Sequence, residues 1–327
     1  MDLAYNHIGV SHLISPTYNT TNSSQPISSL PTYPSETRCG YVALVGRPNA
    51  GKSTLFNAFL GQRLSIVTAK PQTTRGRVLG VLTRPQSQVI FLDTPGLLEP
   101  SYKLHESMER QIEQAAREAD VALLLIDASQ PRDRAKLVRR FLEQARTPVI
   151  AALNKIDLLG EGILENLERQ IQSEYNLPEL VPISALQGSH LTPLLDRIDA
   201  HMPKGPKLYP DEMVAEQPER FFAAELIRES AFEHLENELP YSINIAIEEF
   251  KERTANKTYI SAVIYVERES QKGIVIGRKG ARLQAIGKQA RKGIETMIDQ
   301  SVYLELWVKV RPGWRNQERD LREFGYL

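Results

Sequence analysis

Eight consecutive residues, Gly46-Arg47-Pro48-Asn49-Ala50-Gly51-Lys52-Ser53, follow the pattern glycine, four residues, Gly-Lys-Ser. Two glycines so placed let the backbone turn tightly and aim its N–H groups at an anion. Lys52 supplies positive charge to terminal phosphates, and the Ser53 hydroxyl is placed to ligate magnesium. Three further sets follow in order. Asp93-Thr94-Pro95-Gly96 offers a carboxylate to hold the same metal through water and a Gly96 N–H for a γ-phosphate. Asn154-Lys155-Ile156-Asp157 offers the Asp157 carboxylate to the N1–H and 2-amino group of guanine. Adenine lacks that donor pair and would leave a buried acceptor unpaired, so the set selects GTP over ATP. Ile183-Ser184-Ala185 adds backbone contacts to the base. Between the first two sets lies Gln72-Thr73-Thr74-Arg75. A threonine there completes a magnesium shell and senses the γ-phosphate, which makes 64–78 a switch segment.

These groups need strands and helices to bring them together. Tyr41 to Val45 reads as a strand feeding the glycine loop, and Ser53 to Leu60 as the helix after it, where the helix N-terminus favours an anion. Val89–Leu92, Val121–Ile126, Val149–Leu153 and Leu180–Ile183 read as further buried strands. Helical stretches separate them near 104–119, 133–146, 162–175 and 191–201. Apolar strands alternating with helices predict an α/β domain, a P-loop NTPase (Ras-like) G domain whose mainly parallel, doubly wound sheet presents its ligand contacts at the strands' carboxyl ends. Leu97 stands where a Ras-like enzyme has its water-orienting glutamine. Slow intrinsic hydrolysis, raised by a partner or an extra cation, is expected.

Pro203, Pro206 and Pro210 interrupt regular structure and mark a boundary near 203–218. The expected divisions are a disordered extension over 1–37, rich in Ser, Thr, Asn and Pro, a G domain over 38–205, a linker over 206–218 and a second domain over 219–327. In that domain Arg220–Glu236 reads as a helix. Ile243, Ile245 and Ile247 alternate as in a half-buried strand, Tyr259–Glu267 is a second strand, and Leu304, Leu306, Val308 and Val310 alternate in a last one. A short closing helix is expected over 316–324. Gly277-Arg278-Lys279-Gly280 precedes a helix beginning near Ala281. A Gly-X-X-Gly loop can clamp a nucleic-acid backbone. From Gln271 to Gly293 there are seven basic residues, among them Arg278, Lys279, Arg282 and Lys288, and no acidic one. The order helix, strand, strand, Gly-X-X-Gly, helix, strand matches a smaller α+β domain of the type II KH kind. Ile274, Val275, Ile276, Leu283 and Ile286 are either the apolar floor of an RNA groove or ordinary core.

The 40 basic and 40 acidic residues balance to a formal net charge of zero, so an RNA surface has to come from this local cluster. A lone cysteine, Cys39, excludes an intramolecular disulfide framework and suits a reducing cytosol. No apolar run approaches the ~20 residues needed to span a bilayer. A monomer in the cytoplasm is the expectation.

The sets Gly-Arg-Pro-Asn-Ala-Gly-Lys-Ser, Gln-Thr-Thr-Arg, Asp-Thr-Pro-Gly-Leu and Asn-Lys-Ile-Asp resemble the Era and tRNA-modification branch of GTPases. Glu238-Leu239-Pro240-Tyr241-Ser242, Val275 to Ala281, Leu304 to Val310 and Arg319 to Tyr326 resemble the Era family in particular, so the likeness runs from about residue 39 onward. The resemblance implies GTP and GDP as ligands and magnesium held by Ser53, Thr74 and Asp93. It also implies a potassium ion held by Asn49, with Thr68 and Thr73 near it. Lys52, Thr74 and Asn49 are the implied catalytic residues. Lys70-Pro71 departs from the glycine-rich form of that loop. The implied partners are the 3′ end of 16S ribosomal RNA and the 30S subunit during its assembly, with peripheral attachment to the inner face of the cell membrane. A tRNA-modification GTPase, or a constitutive RNA-binding module with weak GTPase activity, stays open as an alternative.

Overall fold

Near-continuous apolar strands are stable only when both faces of their sheet are covered. The computed structural model, which describes residues 37–327 apart from 69, 133–134 and 255, shows that cover. The expectation for the N-terminal extension lies outside the described residues except at Thr37. From β1 (Arg38–Gly46) the chain passes through α1 (Lys52–Leu60), β2 (Val78–Thr83), β3 (Ser87–Asp93) and α2 (Lys103–Glu118). It continues through β4 (Val121–Asp127), α3 (Ala135–Gln144), β5 (Val149–Asn154), α4 (Leu164–Tyr175), β6 (Leu180–Ile183) and α5 (Leu191–His201). The six strands lie in the order β2-β3-β1-β4-β5-β6. Every neighbouring pair is parallel except β2 with β3. One apolar cluster, with Ile90, Leu124 and Leu153, covers one face, and a second, with Leu44, Phe56 and Phe91, covers the other. The antiparallel edge strand β2 is absent from the sequence reading. Its six residues are interrupted by Gly80 and sit close behind the switch segment, so the run does not stand out as a buried strand.

The second domain holds α6 (Glu219–His234), α7 (Leu239–Ser242), β7 (Asn244–Thr254), β8 (Lys257–Val266), α8 (Glu269–Ile276), α9 (Ala281–Ile298), β9 (Ser301–Val310) and α10 (Glu318–Glu323). Its sheet runs β7-β8-β9, antiparallel then parallel. The helix α8 corrects the expected element order. The apolar Ile274-Val275-Ile276 has no element assigned to it in the expected order, whereas the Gln271 side chain accepts from the backbone N–H of Glu267 (2.8 Å) and Arg268 (3.1 Å) and so caps a helix start. Two helices therefore flank the Gly-X-X-Gly turn, the α-β-β-α-α-β order of a type II KH domain. No helix among the described residues is long and apolar enough to cross a membrane.

A separate apolar cluster of Leu98, Leu104, Met108, Trp314 and Leu321 joins the start of α2 to the C-terminal turn. Trp314 is fully buried, and its Nε1 donates to the Ser242 carbonyl at 2.9 Å. Trp314→Phe should therefore leave that carbonyl unsatisfied at a cost of about 1–3 kcal/mol, read as a lower midpoint in urea denaturation. An unchanged midpoint would show that the hydrogen bond contributes nothing net.

Candidate nucleotide site and nucleic-acid groove

The carboxyl ends of β1, β3, β5 and β6 open on one side of the large sheet, and the loops leaving them build the site. The turn after β1 is possible because Gly51 adopts φ 97, and a Cβ there would sit 2.1 Å from Asn154 Nδ2. A cleft of about 370 Å³ is lined by Pro48, Asn49, Gly51, Lys52, Ser53, Thr68, Thr73, Thr74, Gly96 and Lys155, among others. Lys52 Nζ lies on the loop's own carbonyls, Gly46 O (3.1 Å) and Arg47 O (3.0 Å). Burial pulls its ammonium down to about 8, against the pull of Asp93.

Asp93 at the end of β3 is wholly buried. Its Oδ2 accepts from Ser65 Oγ (2.8 Å), Ser53 Oγ (2.9 Å) and Thr74 Oγ1 (3.4 Å), and Ser53 Oγ is 3.0 Å from Thr74 Oγ1. Burial raises the Asp93 carboxyl, while Lys52 and the three hydroxyls act the other way. Its Oδ1 is buried and has no hydrogen-bond partner. The hydroxyls of Ser53 and Thr74 and the Asp93 carboxylate, whose Oδ1 is unsatisfied, form an all-oxygen donor set of the kind a magnesium ion takes.

At the base end, Asn154 binds other protein groups rather than facing the cleft. Its Nδ2 donates to Ala50 O (2.8 Å) and its Oδ1 accepts from Ala185 N (2.9 Å), so one amide ties the phosphate loop to the loop after β6. The Ala185 N–H, one backbone group of the set expected near the base, is engaged by Asn154. Ser184 Oγ accepts from Gln187 N at 3.1 Å and closes the same loop. Lys155, held at φ 68, lines the cleft and pairs with Asp127 at 2.6 Å. Against burial, hydrogen bonds from Lys155 and Ser129 bring the Asp127 carboxyl below the usual range. Asp157 Oδ1 is buried without a hydrogen-bond partner, and the N1–H and 2-amino group of guanine are donors that could satisfy this carboxylate.

Three side chains at motif positions point away from the cleft. Arg47 is buried and donates to Gln130 O at 2.8 Å, so only its backbone borders the phosphate loop. Thr94 donates to Leu44 O at 2.6 Å and, with Pro95, is buried, so neither side chain enters the cleft. Leu97 is buried in the core beneath Gly46 and offers no group to water. Asn49, at φ 62, lines the same cleft as Thr68 and Thr73. The sequence reading misses Ser65 and Asp127, because a lone serine and the last residue of a buried strand carry no spacing signal.

In the second domain Gly277 adopts φ 73, and a Cβ on it would lie 2.7 Å from Arg282 Cβ. Arg278, Lys279, Arg282 and Lys288 lie at the surface. A groove of about 750 Å³ beside them is lined by Gly280, Leu283, Lys288, Arg291, Leu304 and Leu306, among others. Of the five residues weighed as floor or core, Leu283 lines the groove and Val275 and Ile286 are fully buried core. Ile276 is half-buried against that core, and Ile274 is exposed beside the loop. Leu304 and Leu306 supply the rest of the floor.

A phosphate loop, a guanine-selective acceptor and a KH module in one chain define a GTP-binding protein with an attached RNA-binding domain. The family described as 50S ribosome-binding GTPase matches residues 41–155, and the KH domain family matches residues 238–315. A variant of Aquifex aeolicus Era bound to GDP and aluminium fluoride is 44% identical over 89% of this chain and 99% of that one, with a TM-score of 0.84. A structure of Era with magnesium, GDPNP and nucleotides 1506–1542 of 16S ribosomal RNA is 45% identical over the same shares, with a TM-score of 0.85. The chain belongs to the Era family of GTPases.

The unpaired Asp157 oxygen leads to a change of ligand rather than simple loss. Asp157→Asn should weaken GTP binding by about ten- to a hundred-fold, the order of 1.4–2.8 kcal/mol, and favour xanthosine triphosphate. Titration with both nucleotides checks this, and unchanged GTP affinity would remove Asp157 from base recognition.

Proposed function

We propose that this GTPase is a nucleotide-timed RNA-binding factor of small-subunit assembly, acting on the 3′ end of 16S ribosomal RNA and on the 30S subunit. One observation carries the reading. Thr74 Oγ1 lies 3.0 Å from Ser53 Oγ, so the segment expected to switch reaches the metal-binding hydroxyl of the phosphate loop. That same chain offers a Gly-X-X-Gly loop with two cations at its surface.

In this reading Gly46 to Ser53 cradle the phosphates, Lys52 neutralises charge on them, and Asp157 holds the guanine. Ser53, Thr74 and Asp93 hold magnesium, which supplies charge stabilisation to the transferring phosphoryl group. Asn49, with Thr68 and Thr73, holds potassium, a fixed positive charge in place of the missing arginine finger and of any side chain at Leu97 able to orient water. Arg278, Lys279, Arg282 and Lys288 take the RNA backbone, and the groove over Leu283, Leu304 and Leu306 takes bases. The protein works as a monomer in the cytoplasm, with peripheral contact to the membrane. GTP orders 64–78 and the segment after Asp93, which favours RNA binding, and hydrolysis favours release.

Two measurements test this. An RNA containing the 3′ end of 16S ribosomal RNA should bind at least about five-fold more tightly with a non-hydrolysable GTP analogue than with GDP, the lower end of ordinary allosteric coupling. Equal affinities would sink the coupling. Turnover should be faster in potassium than in sodium at equal ionic strength, and this preference should vanish in Asn49→Ala. Equal rates in the two ions would retire the potassium site.

A further inference from the structure

The loop that carries Thr74 is held by the other domain. Arg63 Nη2 lies 2.6 Å from Glu229 Oε1, which also accepts from Val67 N at 3.2 Å. Lys70 Nζ donates to the carbonyls of Phe232 and Leu235 at the C-terminal end of α6, where the helix dipole favours a cation. Arg228 Nη1 donates to the Thr73 carbonyl. Arg75 donates to the carbonyls of Pro240 (3.1 Å), Tyr241 (3.1 Å) and Ile243 (2.6 Å). Thr74 thus stands between two neighbours, each pinned to the KH domain.

Among these groups Arg228 is set to fix geometry rather than merely to touch. It is 2% exposed. Its Nε (3.0 Å) and Nη2 are both taken by the Glu225 carboxylate one turn earlier on α6, so its planar fork is oriented before it reaches Thr73. A guanidinium clamped on two nitrogens and aimed with the third leaves the Thr73 carbonyl one position, and the next residue's hydroxyl inherits it.

Resting on the reading of Thr74 as a magnesium ligand, we propose that Arg228 is a positioning residue for GTP hydrolysis. Through the Thr73 carbonyl, helix α6 of the KH domain sets Thr74 Oγ1 against Ser53 and Asp93. The catalytic site of the G domain is then completed by a helix from outside it.

The full chain carrying Arg228→Gln, and a second chain carrying Arg228→Lys, test this. Lysine keeps the charge beside Glu225 but cannot grip it in two places while reaching Thr73. In single-turnover hydrolysis both should be slower by on the order of ten- to a hundred-fold, the loss expected from misplacing a group by about an ångström. The magnesium concentration giving half the maximal rate should rise. GDP affinity should stay within about two-fold of the parent, since the diphosphate state releases the switch loop. A folded Arg228→Lys protein with parental rate and magnesium dependence would overturn the proposal. So would parallel loss of rate and of GDP affinity, which marks a merely structural residue. Should Arg228→Gln fail to fold, the rate and magnesium dependence of Arg228→Lys decide between these outcomes. A parent chain with no turnover at all would instead overturn the reading of the nucleotide site.

Discussion

Two buried arginines set the terms on which the halves of this molecule meet. Arg75 is 4% exposed and Arg228 2% exposed, and each is sunk between the switch segment and the KH domain. A guanidinium cannot shed its charge by losing a proton under ordinary conditions, so burial demands a full set of acceptors. Arg75 finds three carbonyls at the end of α7 and the faces of Phe232 and Trp314. Arg228 finds the Glu225 carboxylate and one carbonyl from the G domain. Each charged hydrogen bond contributes about 1.5–3 kcal/mol net. Together they confine the domains to an arrangement in which those acceptors are present. The apolar cluster around Trp314 then closes beside them and excludes the water that would otherwise compete.

The same arrangement explains why α6 belongs to two cores at once. Phe222 near its start packs into the cluster beneath the large sheet, while Ile227 and Ala231 further along pack against α9 and the small sheet. Gln289 on α9 donates to Glu233 on α6, and α9 is the helix that carries the groove's basic residues. Nucleotide loop, shared helix and the groove beside the Gly-X-X-Gly turn are thus in unbroken contact.

Much of the nucleotide site was legible in the sequence because phosphate and guanine chemistry dictates residue type and spacing together. Lys52 and Ser53 open the helix after β1, Asp93 ends β3, and Asp157 lies in the turn after β5, the positions their spacing predicts. What the motifs did not carry was side-chain direction. Nothing in a string of letters says that Arg47 turns to Gln130, or that Asn154 spends its amide on two loops. The fold was legible wherever an element was long and periodic. It failed at β2, where Gly80 interrupts the apolar run, and at α8, a short helix whose Gln271 cap carries no spacing signal. The interdomain clasp was invisible, because its partners lie more than 150 residues apart, as with Arg228 and Thr73 at a separation of 155.

The segment between the domains has a role that its prolines do not advertise. An edge strand presents a row of unpaired backbone groups that invites another chain. Here β2 is the outer strand on one side of the large sheet, and the connecting segment lies along it. Val81 N donates to Val214 O at 2.8 Å, and Gly80 bridges to Ala215. Further back, Gln88 holds the backbone of Leu208 and Tyr209. The connection is therefore a strap rather than a tether. It pairs with backbone groups of the outer strand that would otherwise be open to another chain.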